Sequence, residues 1–247
     1  MFRLSEARKV AGRWRIAFNL PPLESCIGKT RVCEKACYGL TGRFPTAAVQ
    51  RVLQENWATL RAYEARRDAP RAALELAYLL HRPVCRIHSV GDFHSPFAVQ
   101  VWRRVAHLRR DIFFWCYTRS FCLDMRALAS LPNVRVWAST DYCNVKDAVA
   151  FARRTPRVGH AISPWSSTAP IPPGSIFCRA LHPDPARAIG HDGACLECRL
   201  CMPSLGGVGR DFTKNIVFPL HSRGGGRRLV DDGLSFADRC ARLAALN

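Results

Sequence analysis

The chain has 247 residues and is 48% hydrophobic, enough for one large globular domain with a substantial core. It has no apolar run long enough to span a bilayer, and its N-terminus lacks the apolar centre of a signal peptide; a cytoplasmic protein with no membrane association is therefore expected. Lys and Arg number 37 against 19 Asp and Glu, and the net charge of +18 suggests nucleic acid or a nucleotide as partner, although the arginine and alanine excess equally fits the codon usage of a GC-rich genome.

Short β-rich runs alternate with helical patterns, the rhythm of βα units around a parallel sheet. The first predicted strand, 13–20, leads into a loop with Cys26, Cys33 and Cys37. Residues 47–66 carry Val49, Val52, Leu53, Trp57 and Leu60 at helical spacing, and a second helix is predicted over 71–80. Strand 84–90 is followed by Gly91, Asp92 and His94. Ser95 then caps a helix with Pro96 in its first turn, and Phe97, Val101, Trp102, Val105 and Leu108 form its buried stripe. Strand 111–118 leads into Arg119 and Ser120, a short helix is predicted over 123–131, and strand 134–140 ends on Ser139, Thr140 and Asp141. After a helix at 145–153 and a strand at 158–163, Pro170, Pro172, Pro173 and Gly174 break any helix before a sixth strand at 175–180; a seventh candidate spans 215–221. Six parallel strands with outer helices make an open sheet or a partial barrel, and in both the ligands gather at the carboxyl ends of the strands. Of the basic pairs, Arg66-Arg67, Arg103-Arg104, Arg109-Arg110, Arg153-Arg154 and Arg227-Arg228, four lie near predicted helix ends, where cations suit the macrodipole.

Seven of the 12 cysteines form two compact sets, and in a reducing compartment such sets indicate metal ligands rather than disulfides. Cys195, Cys198 and Cys201 are spaced Cys-x2-Cys-x2-Cys, which places successive thiolates around one corner of an iron–sulfur cubane, with Cys178 as the fourth ligand. Zinc is the alternative, although structural zinc usually takes two separated knuckles. Cys26, Cys33 and Cys37 could hold three irons of a [4Fe-4S] cluster and leave the fourth open for catalysis; the alternatives are zinc completed by a distant histidine, or a metal shared with the second set. Gly28-Lys29-Thr30 is not a phosphate-binding loop, because residue 23 is leucine where that motif needs glycine. Cys85, Cys116, Cys122, Cys143 and Cys240 read as small core residues.

His88, Asp92 and His94 are candidates for acid–base work, a metal site or substrate hydrogen bonds, and a polar strand end is the plainer reading. Thr118-Arg119-Ser120 could bind a phosphate or a cofactor carboxylate through the arginine fork, or form no more than a capped turn.

The three-cysteine loop after the first strand resembles that of the radical SAM superfamily, in which such a loop in a partial barrel binds a [4Fe-4S] cluster whose open iron takes S-adenosylmethionine. The loop here is Cys-x6-Cys-x3-Cys, longer in both gaps than that superfamily's Cys-x3-Cys-x2-Cys. Over 25–38, 86–95, 117–120, 137–139 and 194–201 the chain resembles the phage family called gene product 88. The resemblance implies a partial (β/α)6 TIM-like barrel over residues 1–180, with a cysteine-rich metal-binding extension, 181–247, packed on its mouth. It further implies a catalytic cluster on Cys26, Cys33 and Cys37, an auxiliary cluster on Cys178, Cys195, Cys198 and Cys201, and an external electron donor. Tyr38, Gly91, Asp92, Thr118, Ser120, Ser139 and Ser163 would contact the cofactor, and His88, Asp92, His94 and Arg119 would act on substrate. The rival expectation is a non-catalytic nucleic-acid-binding protein held together by zinc or by clusters.

Overall fold

The computed structural model describes residues 1–7, 10, 12, 14–165, 171–203, 214–219 and 236–243. Arg13, Pro170, Arg227-Arg228 and the end of the seventh expected strand lie outside the described residues, as does the side chain of Cys240.

Eight strands form a single sheet in the order β1-β2-β3-β4-β5-β6-β8-β7. β1 (Ser5–Glu6) pairs antiparallel with β2 (Arg15–Phe18). β3 (Val84–Ile87), β4 (Phe113–Thr118), β5 (Val134–Thr140) and β6 (Gly159–Trp165) follow in parallel, each beside its predecessor. β8 (Asn215–Pro219) then separates β6 from β7 (Ser175–Phe177), also in parallel. The sheet is open, with β1 and β7 at its edges, and has eight strands where six were expected in an open sheet or partial barrel. Two causes explain the difference: β1 is too short to show a period of two, and the placing of β8 depends on a long crossover that no local pattern records. The stretch beyond residue 180, expected as an added extension, thus supplies a strand of the sheet.

The helices are α1 (Arg31–Lys35), α2 (Ala47–Ala65), α3 (Ala69–Leu79), α4 (Pro96–Leu108), α5 (Arg126–Ala129), α6 (Val145–Arg154), α7 (Ala194–Cys198) and α8 (Phe236–Leu243). The caps decide where several of them begin. Ser95 Oγ accepts from Ala98 N at 3.3 Å and starts α4 as expected. Asp68 accepts from Arg71 N at 3.1 Å, so α3 starts ahead of its apolar pattern. Asp124 accepts from Arg126 N at 3.0 Å and Pro132 follows closely, so the helix expected over 123–131 shrinks to α5.

Because successive strand residues point to opposite faces, the sheet has two different coverings. On one face Phe18, Ile87, Phe114 and Val136 join Leu60 of α2, Leu76 of α3, Trp102 of α4, Leu128 of α5 and Phe151 of α6 in the main core. On the other, Trp115 and Trp137 lie beneath Cys195, Leu196, Leu200, Cys201 and Met202. Trp137 Nε1 donates to Cys201 O at 2.9 Å, and a side chain at Gly159 on the neighbouring strand would come within 2.6 Å of the Trp137 ring. The cysteine-rich segment is therefore the second layer of the protein. Burial of each large aromatic beneath it contributes roughly 1.5–3 kcal/mol.

Candidate functional site

The loop holding Cys26, Cys33 and Cys37 is tied to the carboxyl ends of four strands. Asn19, just past β2, accepts through Oδ1 from Ser89 N at 2.7 Å and Val90 N at 3.2 Å, joining the ends of β2 and β3. Ser25 Oγ donates to Pro21 O at 2.7 Å and accepts from Asp92 N at 3.3 Å. Gly91 stands at φ 80°, and a Cβ there would lie 2.7 Å from both Leu20 and Ser25 Oγ, so this crossing point needs glycine. Thr30 caps α1: its Oγ1 accepts from Cys33 N at 3.0 Å and donates to Asp141 Oδ2 at 2.6 Å. That same carboxylate oxygen receives Arg119 Nη1 at 2.5 Å, while Arg119 Nη2 donates to Ser163 O at 3.0 Å.

Arg119 is thus held from β5 and β6 while its backbone is held from β3. Asp92 accepts from Thr118 Oγ1 at 2.7 Å, Arg119 N at 2.7 Å and Phe93 N at 2.7 Å. Ser120 Oγ donates to Phe93 O at 2.6 Å. Burial nevertheless raises the Asp92 pKa, against the pull of these hydrogen bonds. Asp92, Thr118 and Ser120 are engaged with one another and hold the Arg119 backbone in position.

The three thiols lie close enough to act on one another. Burial, then the Asp92 charge, pushes Cys26 up to about 12. Burial raises Cys33 as well, and Arg119 is the strongest opposing influence. Cys37 is raised by burial and eased by the Gly39 and Leu40 amides and by Arg119. Arg119 is therefore the cation that favours the thiolate forms of Cys33 and Cys37, the state metal ligation requires.

His88, Asp92 and His94 share no hydrogen bond, although the His94 charge is felt at His88. His94 Nε2 pairs with Glu64 on α2 at 3.1 Å and meets the Trp57 ring edge-on at 4.6 Å. His88, at φ 58°, points into the main core among Phe93 (5.0 Å between ring centroids), Phe18 (5.8 Å) and Trp102 (6.2 Å), and neither ring nitrogen has a hydrogen-bond partner. Burial lowers its pKa to about 3. Folding thus keeps His88 neutral where an unfolded chain would protonate it below about pH 6.5. The unfolded state then binds more protons, and stability falls with falling pH, by up to about 1.4 kcal/mol per unit, until about pH 3. His88→Phe, which fills the same aromatic cage, is expected to flatten urea midpoints measured between pH 6.5 and 4.5; an unchanged slope would assign the acid sensitivity elsewhere, His160 being the other histidine lowered strongly by burial, to about 4.

The second set lies over the open face of the sheet. Cys178 directly follows β7, its backbone N donating to Val217 O at 2.8 Å. Cys195 and Cys198 sit in α7, and Cys201 in the turn beyond it. Burial, followed by the Cys195 charge, pushes Cys178 up to about 12, and burial raises Cys201, whose sulfur is hydrogen-bonded to the Tyr117 hydroxyl. Arg86 reaches toward both sets, with Nη2 3.4 Å from Tyr38 Oη and its guanidinium carbon 5.1 Å from the Tyr117 ring centre. None of the eleven described cysteines is in a disulfide, and among the described residues no group of three or more His, Cys, Asp or Glu is assembled to hold a metal ion. Of the five isolated cysteines, Cys85 and Cys116 are buried as expected, whereas Cys122 and Cys143 are exposed. Ser139 contributes its carbonyl, which accepts from Asn144 Nδ2 at 3.1 Å. Reading the sequence passed over Ser25, Thr30 and Arg86 as site residues and left Asp141 among the strand-end polar residues, because their importance lies in partners up to 111 residues away.

Fold and site together define a cysteine-rich α/β protein in which an open, mostly parallel sheet carries one thiol set at its strand ends and another over its face. The chain belongs to the Gene product 88 family, whose model matches residues 3–203 and so includes both sets. It is 28% identical over 187 residues to the Gene 88 protein of Mycobacterium phage D29, covering 72% of this chain and 78% of that protein. To the Gene 88 protein of Mycobacterium phage L5 it is 26% identical over 190 residues, with the same coverage. No solved structure matches. Among the described residues, no helix is long and apolar enough to cross a membrane.

Proposed function

We propose that the protein is an iron–sulfur enzyme resembling radical SAM proteins, with a catalytic [4Fe-4S] cluster on Cys26, Cys33 and Cys37 and an auxiliary cluster on Cys178, Cys195, Cys198 and Cys201. The observation that carries the reading is the place of the first set: three mutually interacting thiols at the carboxyl end of β2, beside the buried Arg119–Asp141 pair. The unreversed order of β2 to β6 supports the finer reading of this sheet as an arc of a TIM-like barrel, since helices from α2 to α6 line one face and leave the other to the cysteine segment. The donor chemistry suits the clusters: seven half-buried thiols in sets of three and four, with Arg119 beside one and Arg86 beside the other.

In this reading Thr30 and Asn19 hold the loop against the sheet, and Arg119 stabilises its anionic form. S-adenosylmethionine, bound at the open position, would supply a carbon-centred radical for hydrogen abstraction. The Asp92–Thr118–Ser120 web, being internally satisfied, sets Arg119 in place and does not itself hold the cofactor. The net charge favours a nucleotide or nucleic acid as substrate, and reduction of the cluster would draw on an external electron donor.

Anaerobic purification followed by metal and sulfide analysis tests the reading. About eight irons per chain with matching sulfide and visible charge-transfer absorbance are expected for two cubanes. A colourless protein carrying stoichiometric zinc would overturn it in favour of a zinc-stabilised nucleic-acid-binding protein. If S-adenosylmethionine leaves the spectrum of the reduced cluster unchanged and yields no 5′-deoxyadenosine, the radical step fails while the clusters stand.

A further inference from the structure

Arg86 occupies the middle of β3 on the face covered by the cysteine segment. Across the sheet its register partner is Trp115 on β4, which in turn lies opposite Arg135 on β5. Its Nε is buried without a hydrogen-bond partner. One arm of the fork reaches the Tyr38 hydroxyl at 3.4 Å, next in sequence to Cys37, and the guanidinium stacks over Tyr117, 5.1 Å from the ring centre. Tyr117 in turn hydrogen-bonds Cys201. After burial itself, the groups that act most strongly on the Arg86 charge are Tyr38, Tyr117, Cys195 and Cys201, with no carboxylate among them.

Arg86 is half-buried, with its Nε out of solvent and unpaired, so part of its charge is poorly compensated while the phenols and thiols around it are neutral. Thiols bound to a metal are thiolates, and a four-thiolate centre carries net negative charge with either zinc or an iron–sulfur cubane. We propose that Arg86 is the counter-cation and positioning residue of the Cys178–Cys195–Cys198–Cys201 centre, tied through Tyr38 to the three-cysteine loop. The proposal rests on the metal-centre reading above. A positive charge at this place stabilises the more reduced, more negative state of a cluster and so raises its potential. The same side chain places the two sets in a single electrostatic unit.

The test uses the full chain, both intact and with Cys26, Cys33 and Cys37 changed to Ser so that only the four-cysteine set can hold metal. Metal identity, the half-time of transfer to an iron or zinc chelator, and the EPR-monitored midpoint of any cluster are compared for Arg86, Arg86→Met and Arg86→Lys. Arg86→Met is expected to release metal at least tenfold faster and to lower the midpoint. Arg86→Lys should restore most of the midpoint, because the charge remains, but not the slow release, because the fork to Tyr38 is lost. Should Arg86→Met not accumulate, Tyr38→Phe in the intact chain reads the link alone, with faster release expected. Release and midpoint unchanged in Arg86→Met would overturn the proposal, as would unchanged release in Tyr38→Phe. Zinc in place of iron overturns the iron–sulfur reading but leaves Arg86 to be judged by the release rate, whereas a metal-free four-cysteine set overturns both.

Discussion

Arg119→Met is expected to lower stability by about 3–5 kcal/mol, read as a shift of the urea midpoint at constant slope. The Arg119 side chain is 9% exposed and that of Asp141 1%, so the pair at 2.5 Å is little screened by solvent. Removing the guanidinium leaves the Asp141 carboxylate buried with the Thr30 hydroxyl and the Cys143 amide as donors, at 2.6 Å and 2.8 Å, neither able to neutralise a full charge. The converse change, Asp141→Leu, should cost a similar amount, because Arg119 then keeps only the Ser163 carbonyl. The double variant is the informative arm: with both charges gone the loss should shrink to about 1–2 kcal/mol, from the Thr30 hydroxyl and the Cys143 amide left without their acceptor. Losses that simply add would show that the two side chains do not act as a pair. Since Thr30 also caps α1, each single variant should loosen the loop of Cys26, Cys33 and Cys37, a change that limited proteolysis would detect.

Gly28→Ala is the second large effect, and its cause is steric. A Cβ at Gly28 would lie 1.8 Å from the Arg119 carbonyl oxygen and 2.4 Å from its carbon. That carbonyl cannot withdraw, because Arg119 N is bound to Asp92 and the side chain to Asp141. The loop must move instead, breaking the Thr30–Asp141 contact, and a loss of about 3 kcal/mol is expected from such overpacking. Gly42→Ala is the control. It stands at φ 62° with nothing within 4 Å of a new Cβ, so only the left-handed backbone opposes the change, at about 1 kcal/mol. Equal losses in the two variants would mean that the close approach of the loop to Arg119 is not what matters at Gly28.

Much of the fold was legible wherever the signal is local. Ser95-Pro96 marked the start of α4, short β-rich runs marked β4 and β5, and the spacing of Cys195, Cys198 and Cys201 marked a single compact turn. Polar residues at strand ends were correctly placed near one another, and Asp92, Thr118, Arg119 and Ser120 do meet. Their roles were not legible. Asp92 reads as an acid or a cofactor ligand, and the sequence gives no sign that it also anchors a backbone turn. His88 looked like a polar strand end, but a backbone at φ 58° turns its ring into the aromatic core, and a positive φ at a histidine leaves no mark on composition or periodicity.

The sequence by itself determined the parallel βα rhythm, the two thiol sets and their sizes, the resemblance to gene product 88 and the positive charge, because each depends on residue types at short spacing. Only the tertiary structure decided that the sheet is open, that β8 enters between β6 and β7, that the cysteine segment covers the second face, and that Arg86 stands between the two sets. These rest on contacts between residues far apart in the chain, whose free energy comes from burial and from pairing of charges in a medium poor in water. Such terms depend on what surrounds a side chain after folding, and no local pattern of residues carries them.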